Sequence, residues 1–125
     1  METEPNRLIT EAEKVVTQTL AQLPDELLET ALAVSVSYEG QPDAALIAEG
    51  IDPGTLGLFT GPDRAEHEGA LDPFPPQITI FVENLYLFAG YDEEIYRDEV
   101  RTTYLHELGH YLGLDEEDLT ARGLE

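Results

Sequence analysis

The stretch His106-Glu107-Leu108-Gly109-His110-Tyr111-Leu112-Gly113-Leu114-Asp115-Glu116 decides how the fold of this chain is interpreted. Its pattern is H-E-x-x-H-x-x-G-x-x-E. On a helix, His106 and His110 lie one turn apart on one face, so that both imidazoles can reach one zinc ion at about 2.0–2.1 Å. Glu107 is placed to take a proton from a zinc-bound water. The motif therefore predicts a metal site carried by a helix.

The acidic end of the motif provides candidates for a third ligand. Gly113 allows the chain to leave the helix and turn back, which would bring Glu116 or Asp115 towards the metal. The spacing leaves both residues open. A chance match is expected in well under about 1% of chains of this size, because histidine is scarce. The competing interpretation is a coincidental motif on an ordinary amphipathic helix.

The motif lies near the end of a longer helical pattern, Asp92–Leu112. Neither glycine nor proline interrupts this pattern before Gly109. Its apolar positions are Ile95, Val100, Tyr104, Leu105, Leu108 and Leu112. Gly109 itself costs the helix about 1 kcal/mol relative to alanine, which indicates close approach of another backbone, either for packing or for the site.

The rest of the chain reads as one mixed α/β (α+β) domain over residues 1–125. Apolar spacing predicts an N-terminal helix over Asn6–Gln22, with Asn6 as its N-cap. We predict strands at Ala33–Tyr38, Leu56–Thr60 and Gln77–Val82, and short helices at Asp25–Leu32, Ala44–Glu49 and Glu83–Ala89. A long loop, Gly61–Pro76, contains His67 and could border the metal site. The expected architecture is a small mixed sheet packed by the N-terminal helix and by the motif helix.

Composition excludes several classes of function. Six basic residues against 27 acidic ones give a net charge of −21, which disfavours binding to nucleic acids and to anionic membranes. The same charge would attract basic peptides, although it also serves solubility alone. Without cysteine there is no disulfide framework and no thiolate zinc site. No signal peptide pattern or long apolar run is present, so we expect a cytoplasmic protein; the oligomeric state stays open.

The H-E-x-x-H run resembles that of the zincin superfamily of metallopeptidases, and its extension resembles the metzincin pattern with the last histidine replaced by a carboxylate. Most similar is a family of very small bacterial zincin-like proteins, described as minimal or possible zinc metallopeptidases, whose active-site helix lies near the C-terminus. The resemblance implies that His106 and His110 are zinc ligands and that Glu107 is the general base. It puts the acidic ligand at Glu116, with Asp115 as a rival, because family members often have aspartate there. The Met-turn of larger metzincins has no counterpart, since the only methionine is Met1.

The function implied by this resemblance is zinc-dependent hydrolysis of a peptide or protein substrate, for which the acidic composition favours basic sequences. A second group usually stabilises the oxyanion, and the candidates are Tyr104, Tyr111, His67 and Arg101. Larger zincins add an extended peptide to an edge strand above the active-site helix, a role that Gln77–Val82 would fill here. The alternative function is that of a zinc-binding zincin-like module without peptidase activity. Manganese, nickel or iron also fit two histidines and a carboxylate, but the motif favours zinc.

Overall fold

A computed structural model of the chain describes residues 4–61 and 75–113. The elements follow in the order α1 (Glu4–Gln22), α2 (Asp25–Ala31), β1 (Ser35–Glu39), α3 (Ala44–Ala48), β2 (Gly57–Thr60), β3 (Gln77–Phe81), α4 (Val82–Phe88) and α5 (Glu93–Leu112). The predicted mixed α/β architecture is confirmed. The N-cap predicted at Asn6 is wrong, because α1 already begins at Glu4. Proline is tolerated in the first turn of a helix, so Pro5 does not delay the start of α1.

The three strands form one sheet in the order β1-β3-β2, with β1 parallel and β2 antiparallel to β3. The expectation that Gln77–Val82 is an edge strand is therefore wrong, because β3 pairs on both sides. Its composition explains this position: Ile78 and Ile80 are completely buried. A strand of β-branched residues that is covered on both faces is stabilised most at the centre of a sheet.

Helices α1 and α5 pack against each other and form much of the core. The apolar stripe of α1 contributes Leu8, Ala12, Val15 and Val16, and α5 contributes Tyr96, Val100, Tyr104, Leu105 and Leu108. The hydroxyl of Tyr96 donates a buried hydrogen bond of 2.8 Å to the carbonyl oxygen of Leu8. Arg7 of α1 and Glu93 of α5 form an ion pair near the same end of the contact. Hydrophobic burial thus holds the two helices together, and two polar contacts set their register.

The motif helix α5 occupies a central position, since it packs against α1, α4, β2 and β3. Asp92 caps its N-terminus by accepting a hydrogen bond of 3.0 Å from the N–H of Ile95. At its C-terminus, Gly113 adopts the left-handed conformation with φ of 72°. The predicted helix end is therefore confirmed. Of the helices within the described ranges, none combines the length and apolar character needed to cross a bilayer.

Candidate metal centre

The side chains of His106, Glu107 and His110 come together on the last two turns of α5. The imidazole centroids of the two histidines are 5.1 Å apart. One potential ligand atom from each of the three residues lies within 4.8 Å of the other two. Nitrogen ligands of a tetrahedral zinc are about 3.4 Å apart, so small side-chain rotations would let both imidazoles hold one ion. Imidazole and carboxylate are ligand types that zinc takes, and the donor set fits this metal.

Exposure differs between the members of this cluster. The side chain of His110 is 55% exposed, whereas that of Glu107 is only 13% exposed, and His110 Nε2 lies 3.9 Å from Glu107 Oε2. Burial raises the pKa of the Glu107 carboxyl above its ordinary value. The two imidazoles and a hydrogen bond from the backbone N–H of Phe59 oppose this shift without cancelling it. The carboxyl is therefore held in place at the boundary between the core and the open face of the histidines.

Strand β2 supplies the backbone group that holds Glu107. The N–H of Phe81 donates to the carbonyl of Leu56 at 3.0 Å. Since the hydrogen bonds of an antiparallel pair alternate along the strand, the backbone groups of Gly57 and Phe59 point away from β3. Phe59 uses its outward N–H for Glu107. Within the described residues, β2 thus lies at the sheet edge beside the metal cluster.

The close contact between β2 and α5 depends on Gly57. A Cβ atom added there would lie 2.5 Å from Cγ2 of Thr103 and 3.4 Å from Cγ of Glu107. Two residues further along β2, the ring of Phe59 packs on that of Tyr111 at a centroid distance of 6.0 Å. A larger residue at position 57 would push β2 away from the helix and from the carboxyl that Phe59 holds.

The other predicted site residues fall into two groups. Glu116, Asp115 and His67 lie outside the described residues, so their roles stay predictions. Tyr104 and Tyr111 are core residues, at 1% and 2% exposure, and burial raises the pKa of Tyr104 to about 12.

Arg101 is half-buried and precedes His106 by five residues, which places it about 140° around the helix. The two tyrosines therefore serve packing, and Arg101 starts from a different face of α5.

Sequence reasoning missed the contribution of β2. The hydrogen bond from Phe59 to Glu107 is made by a backbone group, for which no side-chain pattern exists. Gly57 carried a weak signal, because glycine inside a strand often marks a close approach of another element. The sequence could also have shown that Thr103 and Glu99 lie near the site. They precede His106 by three and seven residues and so share its face of the helix.

The chain matches the family model of the zincin-like metallopeptidases over residues 31–124. The match begins at the end of α2 and includes the whole sheet, α5 and the H-E-x-x-H motif. No curated protein matches the sequence significantly. The family match covers most of the chain and agrees with the resemblance inferred from the motif. This protein therefore belongs to the zincin-like metallopeptidase family.

Proposed function

We propose that this protein is a zinc-dependent peptidase. The observation that carries the proposal is the convergence of His106, Glu107 and His110 on one face of α5. In this proposal the two histidines hold zinc, Glu116 is the third ligand with Asp115 as its rival, and Glu107 is the general base. Membership in the zincin-like metallopeptidase family supports the reaction class.

The chemistry requires a proton acceptor beside the attacking water. Bound zinc would supply a Lewis acid that polarises the scissile carbonyl and acidifies water. Glu107 takes one proton as the water oxygen attacks the carbonyl carbon. It then delivers that proton to the amide nitrogen as the C–N bond breaks, which gives a carboxylic acid and an amine. The acid passes its proton to the amine, so that a carboxylate and an ammonium group are released. The hydrogen bond from Phe59 and the burial of Glu107 support this role, because they fix the carboxyl without a permanent cationic partner.

The position of β2 supports binding of an extended peptide. The outward backbone groups of Gly57 offer one donor and one acceptor at the sheet edge. A peptide paired there would lie beside Glu107, since the site of a Cβ at Gly57 is only 3.4 Å from Cγ of that residue. We therefore assign substrate pairing to β2, in place of the central strand β3.

Metal content and hydrolysis, measured side by side, test this proposal. After dialysis against trace zinc, we expect about one zinc per chain in the parent and little in His106→Ala. Glu107→Gln should keep zinc but lose about 10²- to 10⁴-fold in kcat/KM on a mixture of internally quenched peptides. Asp98→Asn, an exposed change on the same helix, controls for zinc bound loosely by surface carboxylates. Equal peptide cleavage by Glu107→Gln and the parent would overturn the mechanism.

The same experiment separates the peptidase from its main alternative. A zinc-binding module without peptidase activity would hold zinc through His106 and His110 yet cleave no peptide in any variant. The partial burial of the Glu107 side chain, which is 13% exposed, favours the peptidase, because a purely structural zinc site gains nothing from a partly desolvated carboxyl beside its ligands. Absence of zinc from both the parent and His106→Ala would contradict both functions.

A further inference from the structure

A cavity of about 330 Å³ opens beside the proposed catalytic residues. It lies between α5 and the start of β2, and Leu56, Gly57, Glu99, Thr103, His106 and Glu107 line it. Pockets that bind small ligands begin at about 300 Å³, so this cavity can hold one long side chain. Because it includes both His106 and Glu107, whatever occupies it lies next to the bond that would be cleaved.

Glu99 places a carboxylate in this cavity, away from the metal cluster. It precedes His106 by seven residues, which puts it on the same face of the helix about 10 Å along the axis. The side chain is half-buried. The cavity therefore has His106 and Glu107 along one part of its wall and an additional carboxylate two helical turns away.

Within the described residues Glu99 has no basic partner, whereas two other glutamates, Glu93 and Glu11, each have one. Glu93 pairs with Arg7, and Glu11 lies 3.5 Å from Lys14. Helical neighbours three or four residues away are the usual partners of such a side chain. For Glu99 these positions hold only uncharged residues: Ile95, Tyr96, Thr102 and Thr103. A half-buried carboxylate that has no cationic partner in the protein interacts most favourably with a cation that a ligand brings.

The remaining wall favours a cation on a long alkyl stem. Leu56 and the methyl group of Thr103 line the cavity beside Gly57. Lys and Arg side chains bury an apolar stem while their charged end reaches a polar group. The α-ammonium of a peptide whose first bond is cleaved would lie two bonds from the scissile carbon, close to Glu107 and far from Glu99. The position of Glu99 thus fits a side chain better than a free N-terminus.

From these contacts we infer that Glu99 is a substrate-binding residue that selects a Lys or Arg side chain adjacent to the scissile peptide bond. The inference rests on the proposed peptidase function and adds the class of substrate. The net charge of −21 would help to concentrate such basic peptides near the protein.

Peptide binding to a zinc-loaded protein that cannot cleave provides the first test. In the Glu107→Gln background, fluorescence anisotropy would compare labelled, N-acetylated peptides that differ at one position, carrying Arg, Lys, norleucine or Glu. We expect Arg and Lys peptides to bind about tenfold more tightly than the norleucine peptide. Adding Glu99→Gln should remove most of this preference, and Glu99→Lys should reverse it in favour of the Glu peptide. Asp98→Asn, the exposed neighbour, should leave the preference unchanged.

Hydrolysis of the same peptides by the zinc-loaded parent and by Glu99→Gln provides the second test. We expect the ratio of kcat/KM between Arg and norleucine peptides to fall by about tenfold in Glu99→Gln. Cleavage that continues with an unchanged ratio would overturn the role of Glu99 alone. A preference that requires a free N-terminus would overturn the assignment to a side chain. If no peptide is cleaved, the proposed function fails, while the binding measurement still decides whether Glu99 selects a cation.

Discussion

Helices α1 and α5 are almost equal in length, with 19 and 20 residues, but their polar and buried residues are distributed differently. In α1, one stripe of apolar residues faces the core and the opposite face is polar. In α5, buried residues occur around much of the helix, and polar side chains lie where β2 packs on it. All of α1 also precedes the residues that match the family model, whereas α5 lies within them.

This difference separates stability from chemistry. Burial of apolar side chains accounts for the sequence of α1, because their removal from water lowers the free energy of the folded state. Helix α5 also contributes to the core, but it holds Glu107 in a setting that disfavours the charged carboxylate. We therefore expect core changes in α1 to lower the free energy of unfolding without affecting metal binding. Changes at the site in α5 should affect metal binding or hydrolysis without lowering the free energy of unfolding.

The largest change in unfolding free energy is expected for Leu8→Ala in α1. Leu8 is 1% exposed, and truncation of such a leucine costs about 2–5 kcal/mol. Urea denaturation of the metal-free protein measures the loss, and zinc content of the folded fraction should stay at the parental level. Leu32→Ala, at a position that is 67% exposed, serves as the control and should change stability by under about 0.5 kcal/mol. Loss of zinc from folded Leu8→Ala would abolish the distinction between the helices.

The next effect concerns the contact between β2 and α5. Gly57→Ala should lower the unfolding free energy by about 1–3 kcal/mol, because the new methyl group meets Cγ2 of Thr103 at 2.5 Å. Thr103→Ser removes that methyl group and should recover part of the loss in the double variant. A double-mutant cycle from urea denaturation measures the coupling between the two positions. Costs that add within about 0.5 kcal/mol would mean that the two residues do not meet.

The pairing of α1 with α5 can be weakened without making a cavity. Tyr96→Phe removes only the hydroxyl that donates to the carbonyl of Leu8 at 2.8 Å, which should cost about 1 kcal/mol. Thermal unfolding of the metal-free protein would detect this loss. Tyr91→Phe is the matched control, since Tyr91 is 62% exposed and should have little effect. An equal change in both variants would show that the bond to Leu8 contributes no net stability.

The same contrast explains how much of the fold could be predicted from the sequence. Apolar spacing sufficed for α1, and the motif, Asp92 and Gly113 marked α5. The order of strands was harder, because local pattern does not specify which strands pair. The complete burial of Ile78 and Ile80 in β3 had a signal in its apolar, β-branched composition. That composition indicates a central strand more strongly than the edge strand that family resemblance led us to expect.

The site could be predicted only as far as side-chain spacing reaches. His106 and His110 share a helix face by sequence alone, and Glu99 repeats that face two turns earlier. The hydrogen bond from Phe59 could not be predicted, because it joins a backbone group to a side chain 48 residues later and depends on tertiary packing. The choice between Glu116 and Asp115 as third ligand stays a prediction, because both lie outside the described residues.

The smallest expected effect is a gain of stability at the site itself. In metal-free protein at about pH 8, Glu107→Gln should raise the unfolding free energy by at most about 1 kcal/mol, because a neutral amide replaces a partly desolvated carboxylate. Asp98→Asn removes an exposed charge from the same helix and controls for the general relief of repulsion in a chain of net charge −21. The gain in Glu107→Gln should exceed that control in urea denaturation with a chelator present.

The pH dependence of that gain identifies its cause. Burial raises the pKa of Glu107 in the folded state, so the folded protein holds this proton more tightly than the unfolded chain does. The stabilisation from that proton is fully present below the unfolded pKa of about 4.3 and is lost as pH rises through the higher folded value. The advantage of Glu107→Gln should therefore be constant well above the folded pKa and should shrink only as the pH falls through that value towards about 4.3. A series from about pH 8 to about pH 4.5 follows this change and stays above the isoelectric point of about 4.1. An advantage that is constant down to about pH 4.5 would exclude desolvation of the carboxylate as its source, and a deficit at about pH 8 would mean that the bond from Phe59 outweighs it. Either result would contradict the contrast between α1, which only stabilises the fold, and α5, which is less stable than it could be because of its site.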